Sequence, residues 1–193
     1  MKIGYSVEGS TDRALLKGLQ RRWCPNAELI EGKFRGTTRQ SARREIPNTC
    51  LELASKGADI IVFLRDANVE SWREVLTAEQ ARCRPNHQHL AVFGVCARNV
   101  ESWLCSDVGW LATRTSRKPE EFRLDDPKGV FESAMGITGT DKKETEIADM
   151  VQCAPLKNWL ANRSFEDFYE RLWQKSKEAL GCKLENLRES SRS

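Results

Sequence analysis

The feature that most constrains the fold is an uninterrupted apolar run in the first half of the chain. Residues 59–64 read Asp-Ile-Ile-Val-Phe-Leu, so five consecutive apolar residues follow one acid. Such a run is typical of a central strand that is buried on both faces, as in a parallel sheet. Arg65-Asp66-Ala67-Asn68 follows it, and the strand is therefore predicted to end in an acidic turn.

Strands and helices are predicted to alternate on both sides of this run. Ile3, Tyr5 and Val7 alternate with smaller or polar residues, and residues 89–97 contain a third apolar strand. A short strand is predicted over residues 27–30. Helices are predicted over residues 11–23, 38–56 and 69–82, the first capped by Ser10 or Thr11 and the second containing Pro47. This alternation predicts an α/β fold with a mostly parallel sheet flanked by helices.

The second half of the chain has a helical pattern. Helices are predicted to open at Asp126-Pro127-Lys128, to cover residues 141–150, and to begin at a capping Ser164. We therefore predict an α/β core over residues 1–106 and a helical C-terminal extension over residues 107–193 that packs on the same domain.

Composition favours a protein without a membrane partner. The chain has 193 residues, of which 39% are hydrophobic and 31% charged, and its formal net charge is +3. No apolar run approaches the length of a membrane span, and the N-terminus lacks the pattern of a signal peptide. We expect a cytoplasmic protein of one domain with enough apolar residues for a core.

The cysteines and histidines do not predict a zinc site. Seven cysteines are spread along the chain without a CxxC pair, which favours mostly reduced, half-buried thiols. His87 and His89 have no cysteine at ligand spacing. The His87-Gln88-His89 segment could hold a metal, but its Pro-Asn context favours a solvated loop.

Acidic side chains follow the ends of three predicted strands. Glu8 ends the first strand and Asp12 lies in the next helical turn, while Asp66 and Glu101 follow the other two strands. Parallel strands bring their carboxyl ends to one edge, where open α/β sheets bind ligands. Four carboxylates are about the number that two-metal phosphodiester cleavage requires around its cations. The pattern predicts a site for Mg²⁺ or Mn²⁺.

Each acid also has a structural interpretation. Glu8 and Asp12 could be a capping pair at a helix N-terminus, where the helix dipole favours carboxylates. Asp66 could cap a helix that starts near Val69, and Glu101 could be an ordinary first-turn acid. Their occurrence after three strand ends favours the metal site.

Basic and aromatic residues leave two interpretations open. The best basic cluster is a predicted nucleic-acid contact, because backbone phosphates supply most non-specific affinity; it comprises Arg35, Arg39, Arg43 and Arg44. The alternative is a solvated helix face. The tryptophans could stack on bases, but most fall on apolar helix stripes, which favours core packing.

Three motifs, in this order, resemble the Toprim domain. They are Val7-Glu8-Gly9-Ser10-Thr11-Asp12, Leu64-Arg65-Asp66-Ala67-Asn68, and Asn99-Val100-Glu101-Ser102-Trp103-Leu104 with Asp107. Within that group the chain is most similar to the small bacterial Toprim-like proteins of the DUF4276 kind, relatives of the OLD-type nucleases. The resemblance covers most of the chain.

The resemblance implies a Toprim-like, Rossmann-like nuclease that uses Mg²⁺ or Mn²⁺. It implies nucleic acid as substrate, DNA rather than RNA, with a role in phage defence and a partner protein such as an ATPase. Glu8 and Asp66 would be catalytic and would bind metal, with Asp12, Asn68 and Glu101 as further ligands. Asn68 replaces the second acid of a DxD motif and so removes one negative charge. Lys143, Lys142 and Lys128, in that order, are candidates to stabilise the charged transition state.

Two functions follow as hypotheses. The first is a metal-dependent nuclease whose cleavage depends on Glu8. The second is a non-catalytic Toprim-like module that binds nucleic acid or a partner protein, with Asn68 marking a weakened site.

Overall fold

The structure is a computed structural model that describes most of the chain. The described residues are 1–33, 39–122, 125–137, 143–178, 182 and 184–187. For residues 39–44, 177 and 178 the description covers the backbone and not the side chains. They form an α/β fold.

Four parallel strands make the described sheet. They are β1 (Lys2–Ser6), β2 (Glu28–Glu31), β3 (Ile60–Asp66) and β4 (Ala91–Cys96). Their order across the sheet is β2-β1-β3-β4, and Gly4 of β1 lies between Ile30 of β2 and Ile61 of β3. The prediction of a parallel α/β sheet flanked by helices is confirmed.

Helices connect the strands and continue after them. They are α1 (Ser10–Trp23), α2 (Arg39–Ser55), α3 (Trp72–Gln80), α4 (Glu101–Leu104), α5 (Val108–Thr115), α6 (Pro127–Met135), α7 (Glu144–Cys153), α8 (Leu156–Trp159) and α9 (Arg163–Glu178). Short 3₁₀ segments lie at Pro85–His87 and Pro119–Glu121. Within the described ranges, no helix has the length and apolarity that crossing a membrane requires.

Alternate residues of β3 face two separate apolar layers. Ile60, Val62 and Leu64 pack on the side that holds α1, α7 and α9. Ile61 and Phe63 pack on the opposite side, against the apolar residues of α2 and α3. The prediction of a central strand buried on both faces is confirmed, because each face of β3 is covered by helices.

Helix α9 joins the C-terminal part to the sheet. A Cβ atom on Gly94 of β4 would lie only 2.6 Å from Cδ2 of Phe168, so the helix packs directly on the strand. Trp103 donates its indole hydrogen to the hydroxyl of Ser164 at 2.7 Å, and the backbone N–H of Ala97 donates to the same oxygen.

Three predicted helix starts are wrong. The helix predicted over residues 141–150 begins at Glu144, because Lys143 before it has a left-handed backbone. The helix expected from Val69 begins at Trp72, because Ala67 and Asn68 still donate backbone hydrogen bonds to Cys96 and Arg98 and so extend the strand pairing. Ser164 does not cap α9; it lies inside the helix, where Trp103 and Ala97 hold its hydroxyl, and Asn162 accepts from its backbone N–H at 3.2 Å. Pro47 lies within α2 without splitting it.

The prediction of mostly reduced thiols is confirmed, but four of the free thiols are buried rather than half-buried, and one pair of cysteines is oxidised. Cys24, at the end of α1, forms a disulfide with Cys182. The neighbouring C-terminal segment is also held by Arg22, which binds Glu185 with two hydrogen bonds, and by Tyr169, whose hydroxyl donates to the Glu185 carbonyl at 2.6 Å. Other cysteines are free thiols: Cys50, Cys83, Cys96, Cys105 and Cys153.

Candidate metal site

The predicted acids lie at the carboxyl ends of three neighbouring strands. Glu8 follows β1, Asp66 is the last residue of β3, and Glu101 opens α4 just after β4. Asp12 lies in the first turn of α1. Because the chain leaves β1 toward β2 and returns to β3 on the other side, this edge contains the topological switch point of the sheet. We call these four residues the acid cluster.

Burial and mutual repulsion disfavour the ionised forms of the cluster. Burial, together with the charges of Glu101 and Glu8, raises the pKa of Asp12 to about 7 against the opposing effect of a hydrogen bond from Gly9. Burial also raises the pKa of Asp66 to about 8, with added repulsion from Asp12, Glu8 and Glu101. These carboxyl groups are therefore close enough to act on one another.

Asp12 has a structural role and a free oxygen at the same time. Its Oδ2 atom accepts the backbone N–H of Gly9 at 2.7 Å, so the capping interpretation is correct for that oxygen, and Gly9 rather than Ser10 or Thr11 is the N-cap. Its Oδ1 atom has no hydrogen-bond partner, and it is buried, because the residue is only 3% exposed. A buried carboxylate oxygen without a partner is costly unless something binds it.

Asp66 is not a helix cap. Helix α3 begins at Trp72, after Ser71, so the capping interpretation of Asp66 is wrong. Its Oδ1 atom is also buried without a hydrogen-bond partner, while a backbone hydrogen bond from Val100 lowers the pKa of the same carboxyl. Two oxygens of the acid cluster therefore lack a protein donor.

Glu8 and Glu101 differ in their access to solvent. Glu8 is exposed, yet neighbouring protein atoms desolvate its carboxylate enough to raise its pKa. Glu101 is only 5% exposed, and burial raises its pKa against the opposing effects of its own backbone N–H, Lys128 and the Thr11 side chain. Of the candidate lysines that the structure describes, Lys128 is the one whose charge acts on Glu101.

Of the other candidate residues, Lys143 and Asn68 are described with contacts of their own, and the rest lie beyond what is described. Lys143 donates to the Met135 carbonyl at 2.8 Å and pairs with Glu146 at 3.6 Å. Asn68 is exposed, has a left-handed backbone with φ of 55°, and its amide nitrogen lies 3.5 Å from the Asp66 carbonyl oxygen. Lys142 and Arg35 lie outside the described residues. The side chains of three α2 arginines do too: Arg39, Arg43 and Arg44.

Sequence reasoning missed Arg65 as a site residue. Its side chain is only 3% exposed, and its guanidinium donates to the Ser6 carbonyl at 3.0 Å, the Leu64 carbonyl at 2.7 Å and the Ser6 hydroxyl at 3.1 Å. The signal was available, because an arginine that directly follows five apolar strand residues must bury a charge that needs partners.

The donor chemistry of the acid cluster fits a hard divalent cation. All its donors are carboxylate oxygens, which Mg²⁺ and Mn²⁺ prefer, and two of them are buried without a partner. As the side chains stand, no group of three or more His, Cys, Asp or Glu in the described parts of the chain could hold a metal ion. A bound cation would therefore have to draw the carboxylates together.

Most tryptophans belong to the core. Trp23, Trp103 and Trp159 are fully buried, and Trp103 stacks on Phe168 with ring centroids 5.3 Å apart. The core-packing interpretation is confirmed for these three. Trp72, Trp110 and Trp173 are partly buried and pack against the core clusters.

The fold and the site define an α/β protein with a parallel sheet and an acid cluster at its switch point. No protein-family model matches this chain, and neither a curated protein nor a solved structure shows significant similarity to it.

Proposed function

We propose that this protein is a Mg²⁺-dependent nuclease of the Toprim-like kind. The observation that supports the proposal is the acid cluster, in which two carboxylates carry buried oxygens that no protein group satisfies. A group of four carboxylates repels phosphate, so a nucleic-acid backbone can approach it only with a cation between them.

The residues of the cluster suit separate tasks. Asp12 and Asp66, which are partly fixed by backbone hydrogen bonds, would hold the cation. Bound Mg²⁺ would supply a Lewis acid and an acidic water ligand. Glu8 is the exposed member and would accept a proton from the attacking water. Lys128, whose positive charge acts on Glu101, would stabilise the charge that develops on the phosphate.

The testing experiment combines metal binding with cleavage. Mg²⁺ and Mn²⁺ are titrated by calorimetry into the wild type, Glu8→Ala and Glu28→Ala, and the same proteins are assayed on single- and double-stranded DNA and on RNA. Glu28 is a matched control because it is an exposed acid on the edge strand β2. We expect binding and cleavage in the wild type and in Glu28→Ala, and loss of cleavage in Glu8→Ala. Absence of cleavage with either metal on every substrate would refute the nuclease.

A second candidate is a non-catalytic module that binds nucleic acid or a partner protein. The observation that favours it is the turn at Asn68, where an exposed amide stands in place of a second acid. This function predicts nucleic-acid or protein binding that survives both EDTA and Glu8→Ala. The nuclease predicts that the divalent cation changes substrate binding.

A further inference from the structure

The buried side chain of Arg65 lies at the carboxyl end of the sheet. It follows Leu64 on β3 and shares a face with Phe63, over whose ring its guanidinium lies at 5.8 Å. The guanidinium then turns to the carboxyl end of β1, where it binds the carbonyl and hydroxyl of Ser6. These bonds, with the one to Leu64, fix the charge beneath the switch point.

The charges that act on Arg65 come from two sources. The first is Glu79 of α3, which is 4% exposed and also accepts a hydrogen bond from Arg82. The second is the acid cluster, through Glu8, Asp12 and Asp66. Arg65 directly precedes Asp66 on β3, and its guanidinium binds Ser6, two residues before Glu8, so geometry places its charge at the strand ends that carry the candidate site.

We propose that Arg65 is a fixed internal cation of the acid cluster, a positioning residue that keeps Glu8, Asp12 and Asp66 assembled without metal and weakens their affinity for divalent cations. The second half of this proposal rests on the proposed function. Arg65 would act through the carboxylates, because its side chain is buried and hydrogen bonds to Ser6 and Leu64 hold its guanidinium in place.

The two effects have one physical cause. A positive charge several ångströms from like-charged carboxylates lowers their repulsion, so the cluster costs less to fold without a cation. The same charge repels a divalent cation that enters the cluster. A residue that only filled space or satisfied the strand ends would produce the first effect without the second.

The experiment compares two substitutions at Arg65 with a control. Arg65→Met removes the charge and keeps much of the volume, whereas Arg65→Lys keeps the charge. The control, Arg82→Met, removes the arginine that is paired with Glu79. Each metal-free protein is melted to obtain Tm, and Mn²⁺ is titrated by calorimetry. We expect Arg65→Met to lower the metal-free Tm and to bind Mn²⁺ at least about tenfold more tightly.

The other variants separate charge from shape. Arg65→Lys and Arg82→Met should keep a Mn²⁺ affinity within about twofold of the wild type, since neither removes the charge that faces the cluster. Unchanged or weaker Mn²⁺ binding by Arg65→Met would overturn the proposal. Tighter binding by Arg82→Met to the same degree would also overturn it, because the effect would then not belong to Arg65.

Failure of a variant to fold is also informative. If Arg65→Met is unfolded, the double variant with Asp12→Asn is tested, because Asn still caps α1 while removing one repelling charge. Recovery of folding supports the internal cation, and continued unfolding overturns it. If the wild type binds no divalent cation, the proposed function fails, and so does the inference that Arg65 weakens metal affinity.

The inference that Arg65 keeps the carboxylates assembled is then tested separately. It requires that Asp12→Asn raises the metal-free Tm more in Arg65→Met than in the wild type.

Discussion

The two ends of the same sheet are built in opposite ways. At the amino end of the strands, opposite charges face each other: the backbone N–H of Lys2 donates to Asp59 at 2.7 Å, and the Lys2 ammonium lies 4.0 Å from Glu28. At the carboxyl end, four acids converge and two of their oxygens have no partner. The same four strands support both arrangements.

The two ends of the sheet differ in how their charges affect the stability of the fold. Exposed pairs such as Lys2 with Glu28 contribute about 0–1 kcal/mol, so the amino end is electrostatically ordinary. The carboxyl end contains buried like charges that raise one another's pKa and cost stability. Apolar layers on both faces of β3 stabilise the sheet enough to tolerate that cost.

The strongest test of this difference between the two ends of the sheet is to neutralise one acid at each end. Asp66→Asn should reduce metal-dependent cleavage by at least about a hundredfold, because it removes a ligand charge, and should leave the metal-free protein as stable or more stable. Asp59→Asn should keep full cleavage and change the free energy of unfolding by less than about 0.5 kcal/mol. Cleavage assays and urea denaturation measure both. Equal loss of activity in the two variants would contradict the contrast.

The pH dependence of stability should come from the carboxyl end. Asp12 and Asp66 have pKa values raised to about 7 and about 8 in the folded state, so these two groups bind more protons in the native protein than in the unfolded chain between about pH 4 and about pH 8. The metal-free protein should therefore lose a few kcal/mol of stability as pH rises from about 4 to about 8.

Saturating Mn²⁺ should reverse that pH trend, because the cation binds the ionised carboxylates. Urea denaturation at several pH values, with and without Mn²⁺, measures the effect. Asp12→Asn and Asp66→Asn should each flatten the metal-free curve. A metal-free protein that is most stable at pH 8 would contradict this assignment.

Packing in the body of the sheet should be independent of the acid cluster. In Gly94→Ala, the added Cβ would lie 2.6 Å from Phe168 and 2.7 Å from Leu64, so the variant should lose about 1–3 kcal/mol of stability. Its Mn²⁺ affinity at low temperature should be unchanged. Gly109→Ala is the matched control, since the nearest atom, on Asp107, is 3.6 Å away. Thermal melts and calorimetry compare the two variants.

The smallest effect is expected at Asn68. Its side chain is exposed and directed toward the Asp66 carbonyl, so Asn68→Asp should change Mn²⁺ affinity by less than about twofold, the size of a screened surface charge. Aspartate also tolerates the left-handed backbone at this position. A tenfold or greater gain in affinity, measured by calorimetry, would mean that residue 68 enters the site when metal binds.

Local sequence patterns predicted the sheet because its strands carry their own signal. The apolar run of β3 and the alternation around Tyr5 depend on burial of the residues themselves. The start of α3 could not be predicted in the same way. It is delayed by hydrogen bonds from Ala67 and Asn68 to Cys96 and Arg98, which are about thirty residues away in sequence.

The sequence predicted the acids of the site. It did not predict the positive charge of Arg65 near them. Glu8, Asp66 and Glu101 follow strand ends, and parallel topology brings such residues to one edge. The position of the Arg65 guanidinium depends on the spacing between β1 and β3 and on Ser6 as acceptor. That arrangement is a property of the folded sheet.

The Cys24–Cys182 disulfide turns most of the chain into a closed covalent ring, since the two residues are 158 positions apart. Glu8 and Asp12 lie on the short arm outside the ring, whereas Asp66 and Glu101 lie on the ring itself. A single backbone cut between residues 24 and 182 would therefore leave the two fragments attached. Such a nicked molecule would keep its full mass on a gel until a reductant separated the arm that carries Glu8 from the fragment beyond the cut.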